Sequence, residues 1–279
     1  MFTAVKAMSR RSTLQIRLHD DDGRQILDMD ETRRLVAKHF KSQFFDASRP
    51  TVLPDFEAKP LSEPITAYEV ASAIKKLRNR RAVGPDGLPA EVLKSVADLY
   101  ATPLAHLLNQ SHAHLHPQAK QAPGIVLQPR PIVLLNCIRK AVSILVLNRI
   151  QAKLDNAIGQ YQSGFRRGRS TADAVWTHKW LVARVRKYED AFSILGIDLS
   201  RAFDTIDRSK LLLVLEDILT NDEVRLVRTL LASTTLKIRL GHKTHQAFTT
   251  NIGTPHGNAL SPVLFVVHLD AALRDVALA

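Results

Sequence analysis

The run Ser193-Ile-Leu-Gly-Ile-Asp198-Leu-Ser-Arg-Ala-Phe-Asp204 constrains this chain most. Ile194, Leu195, Ile197 and Leu199 give the composition of a buried strand, and Asp198 interrupts it. The segment after it is expected to turn into a helix. A lone carboxylate in such a strand costs several kcal/mol, of the order of ~2–7 for a polar group without a partner. Two readings follow. A divalent cation at a strand end satisfies the carboxylate, or Asp198 caps the following helix.

At 279 residues the chain can hold one large domain or two small ones. A hydrophobic content of 45% supports a substantial core. No stretch of eighteen apolar residues occurs, so no membrane span is expected. The first residues lack a signal-peptide core. A single cysteine, Cys137, excludes an internal disulfide framework and a cysteine-rich zinc site. These features predict an intracellular protein, nuclear or cytoplasmic and not secreted.

The formal charge of +12 suggests a polyanionic partner. Most of it lies between Arg139 and Lys187, where eleven Lys or Arg face two Asp. Within that stretch, Gln162-Ser-Gly-Phe-Arg-Arg-Gly-Arg169 interleaves glycine and an aromatic with arginine. Glycines admit a phosphate close to the backbone, and guanidinium groups can fork onto it. The competing reading is a solvated basic face.

Helices are expected over Asp30–Phe45, Thr66–Leu77 (opened by a capping box), Ala90–Gln110, Ile132–Leu154, Thr171–Lys187, Asp207–Leu219 and Asn221–Ala232. Leu35, Val36, Phe40 and Phe44 should share one face of the first. Pro103 should bend or break the third. Trp176 and Trp180 at i and i+4 read as core rather than as base-stacking platforms. His112, His114 and His116 lack ligand spacing and read as a solvated loop. Thr235–Leu240 and His245–Asn251 should form a hairpin. Ser261 should cap a last helix with Pro262 at its first position. Asp204 and Asp207 read as capping or surface-pairing carboxylates.

Five segments in this order carry a resemblance: Val83-Gly-Pro-Asp-Gly-Leu-Pro89, Arg130-Pro-Ile-Val-Leu-Leu-Asn136, Gln162 to Thr171, Ile197 to Asp204, and Gly253-Thr-Pro-His-Gly-Asn-Ala-Leu-Ser-Pro262. Together they closely resemble the reverse transcriptases of non-LTR retrotransposons. The resemblance implies an α+β right-hand polymerase, helix-rich with a small antiparallel sheet. Residues 1–60 would be an N-terminal helical extension and linker, 61–190 fingers, and 191–279 a partial palm. The implied chemistry is RNA-templated nucleotidyl transfer with two Mg²⁺ ions. RNA template, DNA primer and deoxynucleotide triphosphates are the implied partners.

Residue by residue, the resemblance makes Asp198 the first metal ligand, helped by the Leu199 carbonyl. Phe203 would be the gate against a ribose 2′-hydroxyl. Arg130, His256 and Gly257 would contact the nucleotide, and Arg166, Arg167 and Arg169 the nucleic-acid backbone. Asp198 should share a cleft with Phe203 and Gly257. The family's paired aspartates do not occur before Ala279, and Asp270 and Asp275 sit on an expected helix. His256 stands where the family has Gln, and only Lys120-Gln-Ala-Pro-Gly124 stands for its basic finger loop. These departures predict a chain without polymerase activity of its own, and one prone to non-specific self-association. A non-catalytic nucleic-acid-binding remnant is the alternative.

Overall fold

A computed structural model describes residues 26, 28–53, 61–110, 118–122, 132–189, 193–232, 234–240, 243–244, 246–255 and 257–278. In chain order its elements are α1 (Met29–Phe44), α2 (Ala67–Lys75), α3 (Ala90–Ser95), α4 (Ala97–Asn109), β1 (Gln118–Ala122), β2 (Ile132–Leu134), α5 (Cys137–Ala157), α6 (Thr171–Tyr188), α7 (Arg208–Glu216), α8 (Asn221–Leu231), β3 (Thr234–Lys237), β4 (Arg239–Leu240), β5 (Lys243–Thr244), β6 (Phe248–Thr250) and α9 (Ser261–Leu278). The molecule is therefore helix-rich with little sheet. No helix among the described residues is long and apolar enough to cross a membrane.

Local capping chemistry sets most helix starts. Asp28 accepts the Asp30 amide at 2.9 Å to open α1. Thr66 and Glu69 form a reciprocal capping box on α2, and Thr220 and Glu223 form another on α8. Each satisfies donors that the helix cannot satisfy itself. On α1, Val36, Phe40 and Phe44 are buried at four-residue spacing and pack with Ile238, Leu236 and Phe248. Leu35, expected on that face, is 40% exposed.

The main core joins α2 through α5 to α7, α8 and α9. α5 runs through it, with Val146, Ile150 and Leu154 fully buried. The expected single helix Ala90–Gln110 is split at Val96 (φ −115°, ψ 19°), not at Pro103, which α4 accommodates. Leu99, whose carbonyl a proline four residues on leaves unpaired, is exposed, so water can satisfy it. The expected helix from Ile132 begins instead with β2, and α5 starts at Cys137. A short apolar run led by Ile and Val suits either state, and pairing with β1 decides it.

The sheet has the order β2-β1-β3-β6. β1–β2 and β3–β6 are antiparallel, as expected of a small antiparallel sheet, but β1–β3 is parallel. β3 and β6 pair through Thr234–Thr250 and Leu236–Phe248, and β4–β5 makes a separate hairpin. Three further expectations are corrected. Residues 193–199 form no strand and are exposed, with Leu195 at 84% and Ile197 at 67%. A strand exists only through its ladder, and no described strand pairs with this segment. The helix expected after Asp198 is a turn, because Arg201 takes a left-handed backbone (φ 54°). α6 buries none of its residues, so Trp176 and Trp180 are not core.

One buried guanidinium ties these parts together. Arg208 is 4% exposed. Its Nε donates to the Gly253 carbonyl at 2.8 Å, and its Nη1 to the Leu231 and Thr250 carbonyls at 2.9 Å. Its Nη2 reaches Thr250 Oγ1 at 3.0 Å and the Ile252 carbonyl at 2.9 Å. Burial, and then Arg139 nearby, brings its pKa down to about 9, so it stays charged at neutral pH. Arg139, equally buried, donates to the Leu230 carbonyl. Both cations meet the C-terminal carbonyls of α8, the negative end of its dipole.

Arg208→Met should lower unfolding free energy by more than ~3 kcal/mol, since each orphaned buried acceptor costs about 1–3 kcal/mol. Arg208→Lys should recover only part, because an ammonium cannot reproduce the planar fork. Urea titration of the variants checks both. A second prediction concerns Glu69, whose pKa falls from 4.5 to about 2, chiefly through its hydrogen bond from Arg149. The folded state binds that proton more weakly than the unfolded chain. The contribution is therefore complete above about pH 4.5 and disappears as pH falls towards 2. Glu69→Gln should flatten that limb of a stability–pH curve.

Candidate nucleic-acid interface

Three loops converge beside α7 and α9. The first, residues 158–170, follows α5 and carries the arginine-rich run. Its shape is set from within by Arg166, whose Nη1 donates to the Gly159 and Gln162 carbonyls at 2.9 and 3.2 Å. Its Nη2 donates to the Asp155 carbonyl at 2.7 Å. α9 holds the loop from outside. Asp270 accepts the Gly159 amide at 3.2 Å, and Arg274 donates to the Ala157 carbonyl. Phe165 and Gly168 take positive φ (56° and 70°), which turns the chain towards α6. Arg167 and Arg169 face solvent.

The second loop, 199–207, is closed by the Asp204 amide donating to the Arg201 carbonyl at 2.8 Å. It is tied to the third loop, 251–260, at several points. The Gly253 amide donates to the Ile206 carbonyl at 2.8 Å, and the Thr254 amide to the Phe203 carbonyl at 2.9 Å. Gly253 has φ 73°, and a Cβ there would lie 2.8 Å from both Cα and O of Asp204. Only glycine satisfies both the backbone angle and the approach.

Asp204 is buried and accepts from Gln43 Nε2 of α1 at 2.8 Å. Asp207 caps α7 by accepting the Ser209 and Lys210 amides, and it pairs with Arg49. Asp207 thus does the capping and pairing expected of it, though from a buried position, whereas Asp204 takes a hydrogen bond from an amide side chain inside the fold. Asn251, buried, binds the backbone of Asp46 and Arg49. At the start of α9, Asn258 Oδ1 accepts the Leu260 amide, while Ser261 Oγ donates to the Pro255 carbonyl. Ser261 therefore braces the loop instead of capping the helix.

An aromatic chain crosses the loops. Phe203 lies 5.9 Å from Phe165, edge-on at 75°, and 5.0 Å from Phe265 of α9. Gly257 has φ 78° and is exposed. Asp198 and Leu199 lie in the exposed 193–199 segment, and among the described residues no closed cleft forms around Asp198. Arg130 and His256 lie outside the described residues, as does the cluster His112, His114 and His116. Among the described residues no three His, Cys, Asp or Glu side chains converge as a metal site. With Asp204 and Asp207 engaged elsewhere, the described residues do not fit a two-metal centre.

Sequence reasoning passed over Gly253, Gln43 and Arg208. Gly253 opens a quoted motif, and its place before Thr-Pro was the one signal available. Nothing local marks Gln43 or Arg208, whose partners lie far along the chain.

A family model described as reverse transcriptase (RNA-dependent DNA polymerase) matches residues 120–279, more than half of the chain. The chain is 26% identical to a 115 kDa protein of the type-1 retrotransposable element R1DM of Drosophila melanogaster, over 95% of this chain and 26% of that protein. It is 27% identical to a retrovirus-related Pol polyprotein from the type-1 retrotransposable element R1 of Bradysia coprophila, over 59% of this chain and 18% of the relative. It is 24% identical to the RNA-directed DNA polymerase from mobile element jockey of Drosophila funebris, over 74% and 24%. The chain thus spans about a quarter or less of the length of these curated relatives.

All three loops fall in the matched segment, and Gly253 is their closest junction. Gly253→Ala should destabilise by more than the ~1 kcal/mol of a left-handed alanine alone, because the Asp204 backbone must also move. Thermal unfolding checks the loss. Gly168→Ala, where a Cβ would meet nothing within 4 Å, should cost only the backbone strain.

Proposed function

The chain belongs to the reverse transcriptase (RNA-dependent DNA polymerase) family, and from that premise we propose that it is a segment of the reverse transcriptase domain of a non-LTR retrotransposon. The observation that carries the reading is that the motifs engage one another in two groups, the first with the second and the third, fourth and fifth together. Gly84 of the first sits against the Leu135–Asn136 backbone of the second, where a Cβ would lie 2.8 Å away. Phe165 of the third meets Phe203 of the fourth, and the fourth hydrogen-bonds to the fifth through Thr254. Unrelated insertions would not be held together in this way.

In this reading residues 61–190 form fingers and 191–279 part of a palm, with 1–60 as extension and linker. The substrates are an RNA template, a DNA primer and deoxynucleotide triphosphates. Arg167 and Arg169 contact the phosphate backbone directly. Arg166 supports that contact by shaping the loop, since its donors already serve Asp155, Gly159 and Gln162. Phe203 gates the sugar, and Arg130, His256 and Gly257 contact the nucleotide.

The family uses divalent metal. Mg²⁺ is our assignment, with Asp198 and the Leu199 carbonyl as the ligands this chain contributes. The nucleus or cytoplasm is the compartment. The uncovered segment 193–199 supports self-association through its unpaired backbone. A second reading, nucleic-acid binding without polymerisation, is favoured by the lack of convergent metal ligands among the described residues.

Anisotropy of a labelled RNA–DNA hybrid across a salt series tests the shared core of both readings. Affinity should fall steeply with salt. Replacing Arg167 and Arg169 with Ala should reduce the slope of log K against log [salt] by roughly 1.4–1.8, for two lost phosphate contacts. An unchanged slope would mean a merely solvated basic face. Primer extension with Mg²⁺ then separates the two: incorporation abolished by Asp198→Asn selects the polymerase, and binding without incorporation selects the module.

A further inference from the structure

α6 presents a stripe that the polymerase reading does not use. Trp176, Trp180, Arg184 and Tyr188 recur every four residues along it. The rise of an α-helix spaces them about 6 Å apart along its axis. Trp176 is 67% exposed, Trp180 49% and Tyr188 60%. The Arg184 guanidinium lies between two rings, 5.6 Å from the centroid of Trp180 and 6.0 Å from that of Tyr188. The Lys187 ammonium lies 5.4 Å from Tyr188. Such cation–π contacts hold the rings in a ladder instead of letting them collapse onto the core.

From this ladder we infer that α6 is a stacking platform for single-stranded nucleic acid, with Trp176, Trp180 and Tyr188 taking base faces and Arg184 and Lys187 the phosphates. The inference rests on the reading that this chain handles nucleic acid, and adds a site and a mode to it. Charge selects the occupant. Arg184 and Lys187 lie at the rings, Lys179 and Arg186 add positive charge elsewhere on the helix, and the acid in the first turn, Asp173, is held in the capping box with Ser170. A second copy of the chain would bring like charges together, whereas a polyanion neutralises them. Rings and cations in alternation suit unpaired bases, because a duplex hides the base faces that stack. The ladder also continues a track, since Arg167 and Arg169 stand just before the Ser170 cap.

The two tryptophans of α6 are the only two in the chain, so its indole emission reports on the ladder alone. The full chain is titrated with oligouridylate, with oligothymidylate and with a blunt RNA–DNA duplex of equal length. Saturable quenching by the single strands and little by the duplex is expected. Trp180→Leu and Tyr188→Leu should each weaken single-strand affinity by ~5- to 150-fold, the range for one stacked base, measured by anisotropy of the labelled oligomer. Because α6 buries nothing, circular dichroism and urea midpoints should not change.

Three results would overturn the inference. Tight, salt-dependent binding with unaltered emission and no loss in the variants would leave a backbone track without stacking, and the proposed function intact. Emission that changes with protein concentration alone, together with faster sedimentation abolished by Trp180→Leu, would mean that a second copy covers the stripe. Failure to bind any nucleic acid would remove the underlying reading as well.

Discussion

The arrangement of the loops depends on the Arg208 guanidinium. A cation withdrawn from water needs every donor placed, and here five backbone and hydroxyl oxygens surround it. Those acceptors come from the end of α8, from β6 and from the turn after it. None can move without stranding a charge. The turn at Gly253 is thereby fixed against Asp204, and the second loop against the third. Arg139 adds a second cation at the same helix end, and the repulsion is offset because the negative ends of the α8 carbonyls face both cations.

Signals that act over three or four residues were readable in the sequence. The capping boxes at Thr66 and Thr220 place α2 and α8 within a residue or two, and the apolar spacing of Val36, Phe40 and Phe44 gives the buried face of α1. Signals that require a distant partner were not. The composition of Ser193–Asp204 describes a strand, but a strand is a relation between two segments, and the left-handed Arg201 ends any helix before it begins. For the same reason Ile132–Leu134 joins a sheet although its residues would also extend α5. Trp176 and Trp180 carry the spacing of core residues, yet the helix bearing them meets no core.

The candidate site divides similarly. Motif order alone pointed to the family, and the motifs contact one another in two groups. What each side chain does within them depends on geometry that spacing does not encode. Three neighbouring arginines look equivalent in the sequence, yet Arg166 is spent on three carbonyls while Arg167 and Arg169 face water. Ser261-Pro262 marks a helix start correctly, but Asn258 supplies the acceptor and Ser261 turns to Pro255.

The clamp between Asp270 and the Gly159 amide joins residues 111 positions apart. On a ribosome the chain emerges from its N-terminus, at ~5–20 residues per second. The end of α5 and its basic loop are thus complete roughly 5–20 s before the residue that pins them exists. Through that interval the arginine-rich loop has only Arg166 to shape it, while its cations are already free to meet any polyanion nearby. For this fold the order of synthesis places electrostatic encounter ahead of structural closure.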